Sequence, residues 1–308
     1  MDGSIAQPRP FLALALRLAT ALALATMGML VKLASDRGAH LFELLFWRQA
    51  LTFAIALSVL AATGGLKRLR TRRVGAHAMR AVVGIVSMAF VYGALMLLPL
   101  AEATTISFTT PLFAVMLSVV LFREKVGFYR WSAVALGFAG VMVVMQPGGD
   151  LAGIDLRGAI AGLVAAFLVA LISFQIQDLN RTEHSFAIVS WFTGLTTPAL
   201  ALILPFAAVR HDPTTWLVIG AMALAGASAQ LLITTSLRFG SAATIIVMDY
   251  TALIWATLYG WLVFGDLPPV LLALGAPLII AAGLVITWRE HVLHKTRALA
   301  GTLPPESS

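Results

Sequence analysis

The amino-acid sequence predicts an all-α integral membrane protein with ten transmembrane helices in two inverted five-helix repeats. Three observations carry that expectation. Of the 308 residues, 60% are hydrophobic and only 11% are charged, whereas soluble domains run near one-quarter charged. Cutting the chain at charges, prolines and glycines leaves ten apolar segments of about 20 residues, the length that crosses a bilayer core of roughly 30 Å. One of these segments also recurs 142 residues later.

The segments begin near Phe11, Phe42, His77, Ala101, Tyr129, Arg157, Phe186, Thr214, Ser241 and Pro268. The first is too long for the apolar region of a signal peptide and reads as a retained helix. Short connections leave no room for a soluble domain. The expected organisation is a tail over 1–10, a first repeat over 11–147, an outer linker over 148–156, a second repeat over 157–288 and a tail over 289–308. Small residues recur every four positions at Gly158, Gly162, Ala166 and Ala170, and at Ala221, Ala225 and Ala229, a spacing that lets helices approach closely. Pro111 and Pro198 fall inside apolar segments, where each frees the carbonyl four residues earlier, at Ser107 and Gly194. Such breaks either place bare acceptors beside a cavity or are kinks satisfied by neighbours.

Charge sets the expected topology. The loop opening at Thr63 and Gly64 carries Lys67, Arg68, Arg70, Arg72 and Arg73, and such loops stay cytoplasmic. With the amino end inside, inner segments hold 14 Lys and Arg and outer loops hold 3, namely Arg37, Arg157 and Arg210. Both termini are therefore expected in the cytoplasm, and the chain in a bacterial-type inner membrane. The net charge of +7 does not imply a nucleic-acid partner, because the basic residues sit in short juxtamembrane runs.

The repeat aligns Ala101–Glu124 with Ala243–Asp266, and GVMVV from Gly140 with GLVIT from Gly283 one residue further out of step. Five helices per repeat is an odd number, so the halves must lie in the membrane with opposite orientation, a recurring transporter architecture.

Intramembrane ionisable residues are the functional leads in such a chain. Arg17, Lys32 and Arg80 lie near helix ends and are expected to snorkel to the headgroups. Asp178 is expected to pair locally with Arg181. Arg48 sits about 9 Å into its helix, where Glu43 or Glu102 would neutralise it. Asp249, roughly 12 Å from a helix end, is too short to snorkel and has no evident basic partner. It reads as a site for a substrate cation or an exchanged proton, or else as a buried structural acid. Gln230 lies at similar depth and Tyr250 follows Asp249. Tyr92, Thr105, Ser107, Thr110, Gln175, Trp191 and Trp255 complete the polar and aromatic candidates for a cavity wall.

The absence of cysteine removes disulfides, thiolate nucleophiles and cysteine-based zinc sites. No HExxH, GxSxG or phosphate-loop pattern occurs, and the six scattered histidines lack acidic residues at catalytic spacing. No cofactor or metal is expected. The leading reading is a secondary carrier whose small-molecule substrate is a small polar or charged metabolite, such as an amino acid or amine, its lipid-facing surface solvated by the membrane. The two repeats are expected to rock by alternating access, with proton coupling or exchange, about one central site near Asp249 and Arg48. The alternatives are a multipass enzyme of the lipid-linked transferase type, for which the loops are too poor in acid and base pairs, and a non-transporting scaffold.

The stretch EATTISFTTPLFAVMLSVVLFREKVGFYRWSAVALGFAGVMVVMQP and its partner SAATIIVMDYTALIWATLYGWLVFGDLPP resemble the EamA repeat of the drug/metabolite transporter superfamily. The resemblance spans about Phe11 to Glu290, with Glu124 and Asp266 closing the matched segments. It implies ten helices in inverted halves with both termini inside. HLFELLFWRQ and MRAVVG are similar to a subgroup of S-adenosylmethionine uptake carriers, which places Glu43, Arg48 and Arg80 among that subgroup's recurring polar positions. Asp249 departs from it, since that carrier type has a basic residue beside the tyrosine. By the same resemblance, Tyr92, Ser107, Gln175, Gln230 and Asp249 are cavity-lining candidates, with Glu102 as a further coupling candidate.

Overall fold

The computed structural model describes residues 10–123, 127–145, 155–236 and 249–300, with no strand among them. Glu124, residues 148–154 of the linker and the start of the ninth segment at Ser241 lie outside the described residues; the last two linker residues, Asp155 and Leu156, cap and begin a helix. Eleven helices are present among those described: α1 (Pro10–Asp36), α2 (Leu41–Ala62), α3 (Val74–Leu97), α4 (Leu100–Ser107), α5 (Thr110–Phe122), α6 (Phe128–Met145), α7 (Leu156–Leu179), α8 (Ser185–Ala207), α9 (Pro213–Ser236), α10 (Thr251–Tyr259) and α11 (Val270–Ala300). Seven spans are long and apolar enough to cross a membrane, one of them formed by α4 and α5 together; 128–144, 251–264 and 270–286 are shorter apolar helices. Large side chains such as Phe206 (91% exposed), Leu202 (77%) and Val120 (74%) point outward. That surface suits hydrocarbon and not water.

Local chemistry fixes the helix ends. His40 and His184 each accept, through Nδ1, the backbone N–H two residues on, from Phe42 and Phe186 at 3.3 Å, so that imidazoles replace the usual Ser or Asp caps of α2 and α8. Asp155 caps α7 through the Arg157 N–H at 2.8 Å. Asp212 caps α9 through the Thr214 N–H and the hydroxyls of Thr214 and Thr215. Those donors, Thr215 foremost, hold the Asp212 carboxyl below the ordinary carboxylate range. Pro111 does not kink a continuous helix. The segment breaks into α4 and α5, with Pro111 in the first turn of α5, and the freed Ser107 carbonyl accepts the Thr110 hydroxyl at 2.7 Å. That carbonyl is therefore a satisfied turn.

The packing carries an internal two-fold relation. Let α1, α2, α3, α4–α5 and α6 correspond in order to α7, α8, α9, α10 and α11. The contact of α1 with α9 then exchanges with that of α3 with α7, α2 with α9 exchanges with α3 with α8, and α1 with α10 exchanges with α4–α5 with α7. The contacts α2 with α8, α6 with α11 and α4 with α10 map onto themselves. Phe108 and Tyr250, equivalent by the 142-residue offset (250 − 108), meet edge to face at 4.8 Å.

Helix termination repeats with the same offset. α5 ends at Arg123 (φ 51°), and α10, extended by a π-helical turn over Gly260–Phe264, ends at Gly265 (φ 71°). Glycine adopts this left-handed conformation freely, whereas a residue with a Cβ loses about 1–2 kcal/mol. Arg123→Gly should therefore raise stability by up to about 1 kcal/mol, and Gly265→Ala should lower it by a similar amount, read as opposite shifts in thermal melting of the purified protein.

Candidate functional site

Two arginines approach the middle of the bundle from opposite ends. Arg48 lies seven residues into α2 and Arg80 six residues into α3, each about 10 Å from its own helix start. Their helices start at opposite ends, because α3 follows α2 through a short connection. Both arginines reach the same stretch of α3, Arg48 at Met88 and Arg80 beside Gly84 one turn earlier. Arg48 Nη1 donates to Gln49 Oε1 at 3.1 Å and to Met88 Sδ at 3.2 Å, and Gln49 in turn donates to the Thr196 hydroxyl of α8 at 2.7 Å. The Arg80 guanidinium lies 4.3 Å over the Phe192 ring. Arg48 Nε, Arg80 Nε and Arg80 Nη1 are buried without an acceptor, and neither cation has a carboxylate partner among the described residues. Charge left unpaired in this way is expensive, which makes the cluster the candidate site.

The surroundings are built for these side chains. A Cβ added at Gly226 of α9 would come within 2.9 Å of Arg48 Nε, and one added at Gly84 of α3 within 2.1 Å of Arg80 Nη1 and 2.5 Å of the Phe192 ring. The two glycines share the 142-residue offset (226 − 84). Tyr92 is 1% exposed, and its hydroxyl rests against Met27 Sδ at 3.7 Å and Met222 Sδ at 3.6 Å. Sulfur atoms from α1, α3 and α9 thus line the layer that holds the arginines.

Asp249 is not in this cluster, nor is it without a basic partner. Arg17 grips it with two hydrogen bonds, Nε to Oδ1 at 2.6 Å and Nη2 to Oδ2 at 2.5 Å, with side chains 13% and 34% exposed. Arg17 therefore does not snorkel, and Asp249 is already neutralised by a fork-shaped cation well matched to a carboxylate. The expectation of one central site joining Arg48 and Asp249 is corrected to two separate clusters.

Other predicted partners are also redrawn. Glu43 meets His211 at 2.9 Å and not Arg48. Asp178 pairs with Arg73 across the bundle and not with Arg181 in its own turn. Arg80 turns to Phe192 rather than to the headgroups, and Lys32 donates to the Leu98 carbonyl at 3.0 Å. Glu102 is 3% exposed with Oε2 unpartnered, and with Asp266 it lines a cleft of about 280 Å³. Ser107 is exposed and bonds its own helix at Thr104. Gln175 Oε1 and the Tyr250 hydroxyl are buried without partners. Gln230 borders a narrow gap with Thr52 and Phe186. Trp191 donates to the Leu69 carbonyl at 2.9 Å and stacks on His77, so it braces a loop. No group of three or more metal-ligating side chains occurs among the described residues.

A family model for EamA-like transporters matches residues 11–146 and, a second time, residues 156–288. The chain belongs to the EamA-like transporter family. Among relatives of this EamA-like transporter, the riboflavin transporter of Vibrio cholerae serotype O1 is 30% identical over 82% of this chain and 84% of that protein. The S-adenosylmethionine uptake transporter of Rickettsia bellii is 26% identical over 82% and 85%. A solved protein structure superposes with a TM-score of 0.59 at 22% identity, covering 88% of this chain and 97% of that one, a likeness of fold.

Sequence reasoning found the EamA repeat in its fourth and fifth helices and missed it in the second. His40, Phe42 and Trp47 recur as His184, Phe186 and Trp191, all 144 residues on (184 − 40). In that register Arg48 corresponds to Phe192, the ring beneath Arg80. The repeated H-x-F…W spacing was the available signal.

Proposed function

We propose that this EamA-like transporter is a secondary carrier of ten membrane-crossing helices, in which two inverted five-helix repeats rock about a central site at Arg48 and Arg80. The exchange of helix contacts between halves carries this reading: two packings of similar quality, related by the two-fold relation, are what alternating access requires. On this reading, residues 1–10 and 289–308 are cytoplasmic tails, and the membrane is the inner membrane of a bacterial-type cell. The cargo is a small polar or charged metabolite, the class to which the riboflavin and S-adenosylmethionine named for its relatives belong. Tyr92 and Gln49 support the arginines in the first half. Asp249 and Arg17 act as a closure between α1 and α10.

Labels at Arg70 and Arg123 should be reached only from the cytoplasm, and labels at Gly149 and Asp212 only from outside, checked with impermeant reagents on intact cells and inverted vesicles. Uptake by proteoliposomes loaded with the same solute tests the carrier itself. Time-dependent exchange that saturates with external solute is expected, and none for any metabolite in a broad panel would overturn the reading.

A further inference from the structure

Resting on the carrier reading, we propose that the transported solute is an organic oxyanion with an apolar or aromatic body, whose carboxylate or phosphate docks on Arg48 and Arg80. Arg48 reaches Met88 and Arg80 lies beside Gly84, one turn apart on α3, and the two guanidiniums leave three nitrogens without acceptors. Gln49 occupies Arg48 Nη1 but supplies no negative charge, and Phe192 offers Arg80 only a ring face. An oxyanion answers this deficit, because its oxygens accept from guanidinium N–H groups and its charge offsets one cation as a carboxylate and both as a phosphate dianion.

The remaining wall selects the body of the solute. Met88 packs on Arg48, and Met27 and Met222 pack on Tyr92, so that polarizable, adaptable sulfur from three helices surrounds the arginines, a packing that can yield to flat or irregular apolar groups. The acidic groups that a cationic cargo would need are committed elsewhere: Asp249 to Arg17 and Glu43 to His211. Glu102 lies apart, in the cleft with Asp266.

Thermal-shift and direct-binding titrations of the purified full-length protein would use benzoate, 3-phenylpropionate and phenyl phosphate, with benzamide, 3-phenylpropionamide and phenethylamine as the matched neutral and cationic probes. The acids should bind at least about tenfold more tightly than their amides or the amine, and the benzoate and phenyl phosphate arms show which oxyanion is preferred. Arg48→Gln and Arg80→Gln should each weaken acid binding by about 30-fold or more, while Arg→Lys at either position retains part of it. Amides binding as well as acids, the amine binding better, unchanged acid binding in both Gln variants, or no binding of any acid would each overturn the proposal. Counterflow of the same probes separates the two readings. Acid binding without flux of any probe removes the carrier and leaves the anion site, whereas flux of phenethylamine without acid binding removes the anion site and leaves the carrier.

Discussion

An Arg48→Met variant should fold at least as well as the parent and lose transport. The guanidinium it removes is half-buried, with Nε closed off from any acceptor, and lacks a carboxylate among the described residues. Replacing such a charge with an apolar side chain of similar length is stabilising by about 1–3 kcal/mol, and methionine extends the sulfur lining already made by Met27, Met88 and Met222. If the charge serves substrate, initial uptake should fall by about two orders of magnitude. Melting of the purified protein and uptake at matched incorporation read the two effects separately. Parallel losses in stability and uptake would make Arg48 a structural residue.

The Arg17 and Asp249 pair should behave in the opposite way. Asp249→Asn leaves a largely buried guanidinium facing an amide, and Arg17→Met leaves a carboxylate without its counterion. Each single change should cost about 2 kcal/mol, less than the 3–5 kcal/mol of a fully buried pair because Asp249 retains solvent access. The double variant Arg17→Met with Asp249→Asn should recover much of that loss, giving a coupling energy of about 1–3 kcal/mol in a double-mutant cycle. Because the pair ties α1 to the residues just before α10 across the two repeats, the double variant should also leave that end of the bundle more accessible to solvent. Additive losses would show that the two residues act independently.

Periodic and compositional features were legible in the chain, and through-space partnerships were not. The starts of the apolar segments agree with the helix starts within a few residues where the structure describes them, because charge, proline and capping chemistry act locally. The break at Pro111 was anticipated, but its consequence was not, since the Thr110 hydroxyl that satisfies Ser107 acts only once α4 and α5 separate. Arg17 and Asp249 are 232 positions apart, and Glu43 and His211 are 168 apart. No spacing rule reaches across such distances, so the search for counterions near Arg48 named the wrong acids. The repeat itself held the missing information. Once His40 and His184 are aligned, Arg48 and Phe192 fall in equivalent places, which the structure sets against Gly226 and Gly84.

The native chain has no cysteine, so a single Met88→Cys places one thiol beside Arg48 Nη1, in the layer where the central site is argued to lie. Labelling of that thiol by an impermeant maleimide, applied in turn to each face of the membrane, tests alternating access directly. The thiol is expected to be reached from both faces, with a transported solute protecting it from both. Labelling from one face only, or labelling that no transported solute alters, would contradict it.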